Sequence, residues 1–324
     1  MDTLLVWSAM TVTANPPDPN TRIEAGTRIQ PGILDDSATS FCAQQYLVTA
    51  GVDVDALRRA LGEIRDLAGS DRGPSRVVVA FGASLLGTLA PETMPSGMRP
   101  FTAIEGLDGH SVPATQDDLF LWFTAGSADR CLSGAWRSRR LLEGLAELTA
   151  ETPGFQFFDH EDITGFEDGT ENPTGEDRLE VAAIPDGPAA GGSFVLAQRW
   201  VHDLRAFEAL SLRDQEHVFG RTKVGSVELD PLPERSHVER VVMEDERGDE
   251  REIYRRSFPY GTTDEQGLFF LAFNRDLETF QDMLERMLGA ADGQRDKLTD
   301  VSAPVTSSFY LAPSVEVLDR IVAG

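Results

Sequence analysis

GLFFLAFNRDLETFQDMLERML, residues 267–288, is the stretch whose reading decides the fold. Leu268 to Phe273 is an apolar run of strand length, and Asn274 to Asp276 breaks it. Leu277, Phe280, Met283, Leu284, Met287 and Leu288 then recur at three- and four-residue steps, as on one face of a helix. Residues 118–148 follow the same plan: an apolar strand from Leu119 to Phe123, a polar break from Ser127 to Asp129, and a helix whose apolar positions are Leu132, Trp136, Leu141, Leu142, Leu145 and Leu148. Upstream, Tyr46 to Val52 reads as a strand, Val54 to Leu67 as a helix and Val77 to Phe81 as a strand; in the second half Phe194 to Val201 reads as a strand, and a helix with a capping-box-like start begins at Ser211. Strands mixed with amphipathic helices, repeated once, predict two α+β domains whose helices pack on antiparallel sheets. Thr152-Pro153-Gly154 is a break signal that sets the expected domains at 1–152 and 153–324. Ala182 to Gly192 reads as a surface loop and Asp245 to Glu250 as a charged hairpin tip.

Between the two copies lies Gly165-Phe166-Glu167-Asp168-Gly169-Thr170-Glu171-Asn172-Pro173. Two glycines, an Asn-Pro step and no apolar alternation make it a tight irregular loop. A carboxylate held beside a phenylalanine in such a loop is a candidate functional group, the alternative being a turn in which Asp168 caps backbone N–H groups.

Composition narrows the function. The formal net charge is −25, and Lys223 and Lys297 are the only lysines. Such a chain repels nucleic acid and anionic membranes. The acidic, lysine-poor character fits either a GC-rich genome or a salt-adapted surface. No apolar run is long enough to span a bilayer. The apolar start, Met1 to Met10, is short and carries Asp2 where a signal peptide has a cation, so a cytoplasmic protein is expected. Cys42 and Cys131 are far apart, and no Cys-x-x-Cys-His is present; covalent haem attachment and zinc-finger chemistry are disfavoured, and two buried free thiols are expected.

Four segments carry a resemblance. The loop at 165–173 resembles the GFxDGTxNP signature of dye-decolorizing peroxidases. Arg235-Ser236-His237-Val238 resembles their proximal-histidine segment, Arg255-Arg256-Ser257-Phe258-Pro259-Tyr260-Gly261 their distal-arginine segment, and Gly267-Leu268-Phe269-Phe270 the strand that walls the haem pocket. The order and spacing are those of the family, and the similarity runs from about Gln30 to near the C-terminus. The resemblance implies duplicated ferredoxin-like domains, with non-covalent haem b in the second. It implies a peroxidase in which hydrogen peroxide is the oxidant, a ferryl intermediate forms, and dyes, phenols or other small organic reductants are oxidised. The chain's end soon after its last expected element implies no tail of the kind that loads some relatives into nanocompartments. Self-association into a homo-oligomer is left open.

The resemblance also assigns roles. Of the five histidines, His237 matches the axial iron ligand; His202, at a strand end, is the competitor, and Val238 to Met243 after His237 is strand-like. Asp296 fits the partner that orients the axial imidazole, with Asp292 as the nearby alternative. Asp168 and Arg255 match the distal acid–cation pair, Arg256 pointing to the opposite face of its strand. An Asp168 held ionised by Arg255 would stay a base well below neutral pH, so an acidic optimum is expected. Asn172 matches a position near the haem edge. Ser257 stands where some relatives have asparagine, and a shorter hydroxyl would admit water. Leu268 and Phe270 share the face that covers the distal haem. Arg221 and Lys223 are cations able to meet haem propionates or to serve the surface. Trp200, Tyr254 and Tyr260 are candidate electron relays for bulky dyes, buried packing being the stronger reading. A non-catalytic haem-handling protein on the same scaffold is the competing function; a carrier has no use for a paired acid and cation over an open iron site.

Overall fold

The computed structural model describes residues 28–324. The first half runs β1 (Ser40–Val48), α1 (Val54–Arg65), β2 (Arg76–Phe81), β3 (Leu119–Ala125), α2 (Ala128–Leu141) and β4 (Ala146–Phe155). The second runs β5 (Ser193–His202), α3 (Leu212–Phe219), α4 (His237–Val241), β6 (Tyr254–Arg255), β7 (Phe258–Gly261), β8 (Gln266–Asn274), α5 (Leu277–Met287) and β9 (Ser302–Ala312), followed by α6 (Val315–Ala323). Each half follows the β-α-β-β-α-β plan of a ferredoxin-like unit. These strands join one nine-stranded antiparallel sheet in the order β4-β1-β3-β2-β9-β5-β8-β6, with β7 also on β8; a separate two-stranded pair is formed by Ile104–Glu105 and Ser111–Val112. Numbered within its own half, with β6 and β7 counted as one interrupted strand, each set reads fourth, first, third, second.

Within the sheet the two halves are joined by one ladder pair, Leu311 of β9 with Phe81 of β2. The sheet curls so that its far ends also touch. Gly154 of β4 lies against Phe258 of β7, and a Cβ on Gly154 would fall 2.1 Å from that ring, so only glycine allows the approach. Inside the curl is an aromatic stack: Phe41 on Phe258 with ring centroids 5.1 Å apart, Phe258 on Phe269 at 5.0 Å, and Phe120 on Tyr310 at 5.3 Å. The helices cover the outer faces. Local chemistry starts them as expected: Asp53 caps α1, Ser211 caps α3 through Asp214 N, and Asp276 caps α5.

Three expectations are corrected. Thr152-Pro153-Gly154 does not end β4; pairing with β1 continues to Phe155, so the first half extends beyond residue 152. β4 ends the hydrogen-bonded order, and a terminal strand tolerates a proline that cannot donate. The first strand starts at Ser40, earlier than Tyr46, because Gln44 and Gln45 interrupt the apolar run yet are buried and hydrogen-bonded. The third correction concerns α2, whose buried face is Cys131, Gly134, Ala135 and Ser138, while Leu132 and Trp136 are 63% and 56% exposed. The helix lies so close to β3 that a Cβ on Gly134 would be 3.0 Å from Phe123 and Pro74. Small residues therefore face the sheet and large ones solvent, with Arg140 over the Trp136 ring at 5.2 Å.

This packing predicts that Gly134→Leu lowers stability by about 1–3 kcal/mol, the usual cost of overpacking, whereas Trp136→Ala stays within about 0.5 kcal/mol. Urea denaturation midpoints of the two variants check the ranking.

Candidate active site

The loop that stood out in the sequence is a set of tight turns. Gly165 N–H donates to Asp162 O and Asp162 N–H to Phe166 O, each at 2.8 Å, while Asp168 N–H donates to His160 O at 2.9 Å. Gly165 and Gly169 have φ of +78° and +79°, the left-handed region that glycine occupies without penalty. Phe166 anchors the loop from below, stacked on Phe219 at 4.1 Å. Lys223 is there too: its ammonium sits 5.4 Å from the Phe166 ring and donates to Gln215. It therefore braces the loop and does not line the cavity between the sheet and the helices of the second half.

Asn172 fixes the other end of the loop. Its Nδ2 donates to Arg255 O at 2.9 Å, and its Oδ1 accepts from Arg255 N–H at 3.0 Å. The amide thus mimics a neighbouring strand for β6. Asn172 thus positions Arg255, and it lines a second cavity behind the Asp168–Arg255 wall and not the cavity that holds His237. Arg256 turns away, as alternation requires, onto Asp36 and 5.4 Å over Trp122.

Asp168 and Arg255 look into a cavity of about 430 Å³ between the sheet and α3, α4 and α5. Leu196, Gln198, Trp200 and His202 of β5 and Leu268 and Phe270 of β8 form the sheet wall; Val238, Val241, Met283, Leu284 and Met287 form the helical one. Arg255 Nε is buried without a hydrogen-bond partner. Burial pushes the Asp168 carboxyl above the usual carboxylate range; Arg255 counteracts this, and the charge of Asp162 adds to it. Arg255 favours the ionised form, as expected, but desolvation outweighs the guanidinium and the net direction is upward.

His237 enters the cavity from the helical side. It opens α4 behind Ser236, so the strand-like reading of 238–243 is corrected to a short helix followed by an irregular segment. Nδ1 lies 2.7 Å from Oδ2 of Asp296, whose side chain is fully buried. Oδ1 of Asp296 accepts from Leu298 N–H at 2.8 Å. A carboxylate held this way fixes the Nδ1–H tautomer and leaves Nε2 as the free donor. Asp292, the alternative partner, is paired with Arg240 at 2.7 Å. His202 has both nitrogens engaged, Nδ1 with Ser302 Oγ at 2.8 Å and Nε2 with Asp162 at 3.3 Å. It has no nitrogen to give a metal.

Arg221 reaches the cavity rim, where it donates to Glu171 at 2.6 Å and to Glu228 at 3.3 Å. Ser257 is the misplaced candidate. It lines the second cavity behind the Asp168–Arg255 wall, and its Oγ accepts from Leu271 N–H at 3.4 Å. The Asp162–His202–Ser302 set on the cavity wall went unread, since its members are spread over three distant segments; only the shared face of Leu196, Gln198, Trp200 and His202 signals it.

The site was compared with known proteins. A model of the C-terminal family of Dyp-type peroxidases matches residues 159–317. The dye-decolorizing peroxidase of Mycobacterium tuberculosis is 35% identical over 276 residues, covering 82% of each chain. This chain belongs to the dye-decolorizing peroxidase family. Its members are oxidoreductases that use peroxide. Among solved structures, a putative Dyp-type peroxidase from Shewanella oneidensis superposes with a TM-score of 0.84 at 32% identity, covering 92% of this chain and 99% of the other. A variant of Rhodococcus jostii RHA1 DypB in complex with haem gives 0.84 at 30% identity over the same shares. The cavity suits such a group: apolar walls, one imidazole with a free nitrogen, and an orphaned guanidinium nitrogen opposite.

Two outcomes follow. Asn172→Ala removes two hydrogen bonds to Arg255 and should cost about 1–3 kcal/mol, read from denaturation curves. For Asp168 the folded state holds its proton more tightly than the unfolded state, so its contribution to stability falls as pH rises through the carboxylate range. Asp168→Asn should therefore melt higher than the parent at pH 7, and the difference should vanish at a pH low enough to protonate Asp168 in both states; calorimetric scans across pH check the sign.

Proposed function

We propose that the protein is a haem b peroxidase that uses hydrogen peroxide to oxidise phenols, dyes or other small organic reductants. The observation that carries this is that one cavity is lined by Asp168 of the 165–173 loop, Arg255 of β6 and the oriented imidazole of His237 on the helical wall. Haem, when bound, supplies an iron with one open position and the capacity to store oxidising equivalents. His237 Nε2 would hold that iron, and the Nδ1–H bond to Asp296 makes the imidazole a stronger donor. Leu268 and Phe270 would cover the macrocycle and exclude water; Arg221, at the cavity rim, would be the cation to meet a propionate.

The reaction asks the distal residues for two things. Peroxide must lose a proton from one oxygen and gain it on the other before the O–O bond breaks. Asp168 takes that proton and returns it. Arg255 directs its guanidinium at the oxygen that leaves, where negative charge develops. Because burial raises the Asp168 carboxyl, the proton-accepting form is lost at a higher pH than for an ordinary aspartate. The acidic limb of the peroxide reaction should rise correspondingly. No helix among the described residues is long and apolar enough to cross a membrane, in keeping with a cytoplasmic enzyme.

The test is a set of single variants loaded with haem and mixed with peroxide by stopped flow. Asp168→Asn and Arg255→Leu should both keep haem, since neither touches the iron ligand. Arg255→Leu should slow the spectral change about a hundredfold or more at every pH. Asp168→Asn should lose most at acidic pH, where little free hydroperoxide exists. His237→Ala should lose or greatly weaken haem binding while His202→Ala keeps the ferric spectrum. If both distal variants react as fast as the parent, a haem-handling role without catalysis replaces the peroxidase.

A further inference from the structure

The segment that carries His237 does not hold its own shape. Helix α4 is only five residues long, and an isolated helix that short is unstable in water. Ser236 at its start makes no side-chain cap, and the Ser236 hydroxyl is buried without a hydrogen-bond partner among the described residues. The backbone just before it is unfavourable as well. Arg235 has φ of +63°, in the left-handed region that residues other than glycine rarely occupy. Such a conformation persists where its surroundings over-determine it.

Arginines supply that constraint. Arg235 Nε donates to Arg295 O at 2.6 Å, and in the opposite direction Lys297 N–H donates to Arg235 O at 2.9 Å. Arg295 and Lys297 are the two residues that flank Asp296. Arg240, 1% exposed, donates through Nη2 to both carboxylate oxygens of Asp292 at 2.7 Å and to Arg286 O at 3.0 Å. Arg286 donates back to Val242 O at 2.8 Å and to Glu239 O at 3.2 Å, which ties the far end of α4. The segment 292–297, which presents Asp296, is thus joined to the segment 235–242, which presents His237, at two places. One tie lies before His237 in the chain and the other after it.

Asp296 is fixed independently of these ties. Its N–H donates to Met287 O at 2.8 Å, its carbonyl accepts from Thr299 Oγ at 2.6 Å, and its Oδ1 accepts from Leu298 N–H. The carboxylate is therefore a fixed point, and the arginines decide where the imidazole stands relative to it. Arg235, Arg240 and Asp292 do not line the cavity that His237 enters, so they reach it only through that imidazole.

We infer that Arg235 and the Arg240–Asp292 pair are positioning residues that set the strength of the iron ligand. They hold His237 Nδ1 at 2.7 Å from Asp296 Oδ2. An imidazole that shares its N–H proton with a carboxylate gathers negative charge on the ring and becomes a stronger donor at Nε2. That sharing weakens as the bond lengthens or bends. The inference rests on the reading of His237 as the axial ligand and adds what tunes it. Asp292 gains a role here: it does not face the imidazole but anchors the helix that carries it. Scaffolding alone would cost stability and nothing else, whereas positioning also changes the ligand.

The experiment uses the haem-loaded protein and two readouts that need no turnover: the iron–imidazole stretching band of the ferrous form, by resonance Raman, and the ferric/ferrous potential. Arg235→Ala and Asp292→Ala should each lower the band frequency and favour the ferrous form about tenfold, the lower end of what loss of an outer-shell partner costs. For a one-electron couple that is a rise of about 59 mV. Arg235→Lys, which keeps a donor on a stem of similar reach, should recover most of the shift. Gly134→Leu loosens the first half without touching either segment and should leave both readouts at the parent's values. Should an alanine variant not fold, Asp292→Asn, which keeps the volume and one acceptor, should move both readouts in the same direction by a smaller amount. Parental values in the Arg235 and Asp292 variants overturn the inference, and so does an equal shift in Gly134→Leu, which would trace the effect to general loosening. A parent that binds haem yet shows no iron–imidazole band overturns instead the assignment of His237 as ligand.

Discussion

Strands β5 and β8 must serve two interiors at once, and the rest of the molecule depends on that constraint. Successive side chains alternate across a strand. On β5, Val195 and Ala197 face the aromatic stack inside the curled sheet, while Leu196, Gln198, Trp200 and His202 face the helical side. On β8, Phe269, Leu271 and Phe273 go to the stack and Leu268 and Phe270 to the cavity. A slip of one residue would exchange the two sets, putting Gln198 and His202 into hydrocarbon and emptying the stack. The pairing Leu271↔Ala197 therefore fixes at once the core of the protein and the wall of its site.

The carboxylates of the site are treated in opposite ways. Asp296 is wholly buried and well supplied with hydrogen bonds, from Leu298 N–H on one oxygen and His237 on the other. Asp162 is nearly as buried, and His202 with Thr164 holds its carboxyl below the usual range. Asp168 has a neighbouring cation but receives little direct hydrogen bonding, so desolvation dominates and its proton is held tightly. A group that must take a proton and give it back is served by a carboxyl whose two forms lie close in free energy. A group that must only orient an imidazole is served by one whose oxygens are both held in place, as those of Asp296 are by Leu298 N–H and His237. The same residue type fills both roles because its surroundings differ.

Much of this was legible in the sequence, and the failures have physical causes. The strand-and-helix plan of 267–288 was clear because its apolar spacing agrees with the packing that forms; Leu277, Phe280, Leu284 and Met287 are all buried. The helix at 128–141 misled because its large apolar residues are not the ones that face the sheet. Close approach selected glycine and alanine, which hydrophobic spacing does not register. His237, Asp168 and Arg255 were singled out by the ordered segments that resemble the family, and Asp296 by its separate fit to the histidine's partner. Their geometry was not legible. The role of Asn172 depends on hydrogen bonds to a strand 83 residues away, and Ser257 faces a space whose existence no local pattern records. The sign of the Asp168 shift also lay beyond the sequence, which shows the neighbouring arginine but not the burial.

The join between the halves has a consequence for how the molecule can be divided. Ladder pairing across it amounts to the one pair Leu311↔Phe81, but Gln45 and Gln116 donate across it to Tyr310 Oη and Phe309 O, and Asp36 pairs with Arg178 and Arg256, while the rings of Phe41, Phe120 and Trp122 from the first half pack on Phe258, Phe269, Phe273 and Tyr310 from the second. Adhesion between the two units thus combines an aromatic, shape-dependent core with polar contacts around it, like that of an obligate dimer whose subunits share a chain. The half that carries the cavity would, if released, expose a sheet face of packed aromatic rings to water. Its fold is inseparable from that of a partner unit which contributes no residue to the cavity that His237 enters.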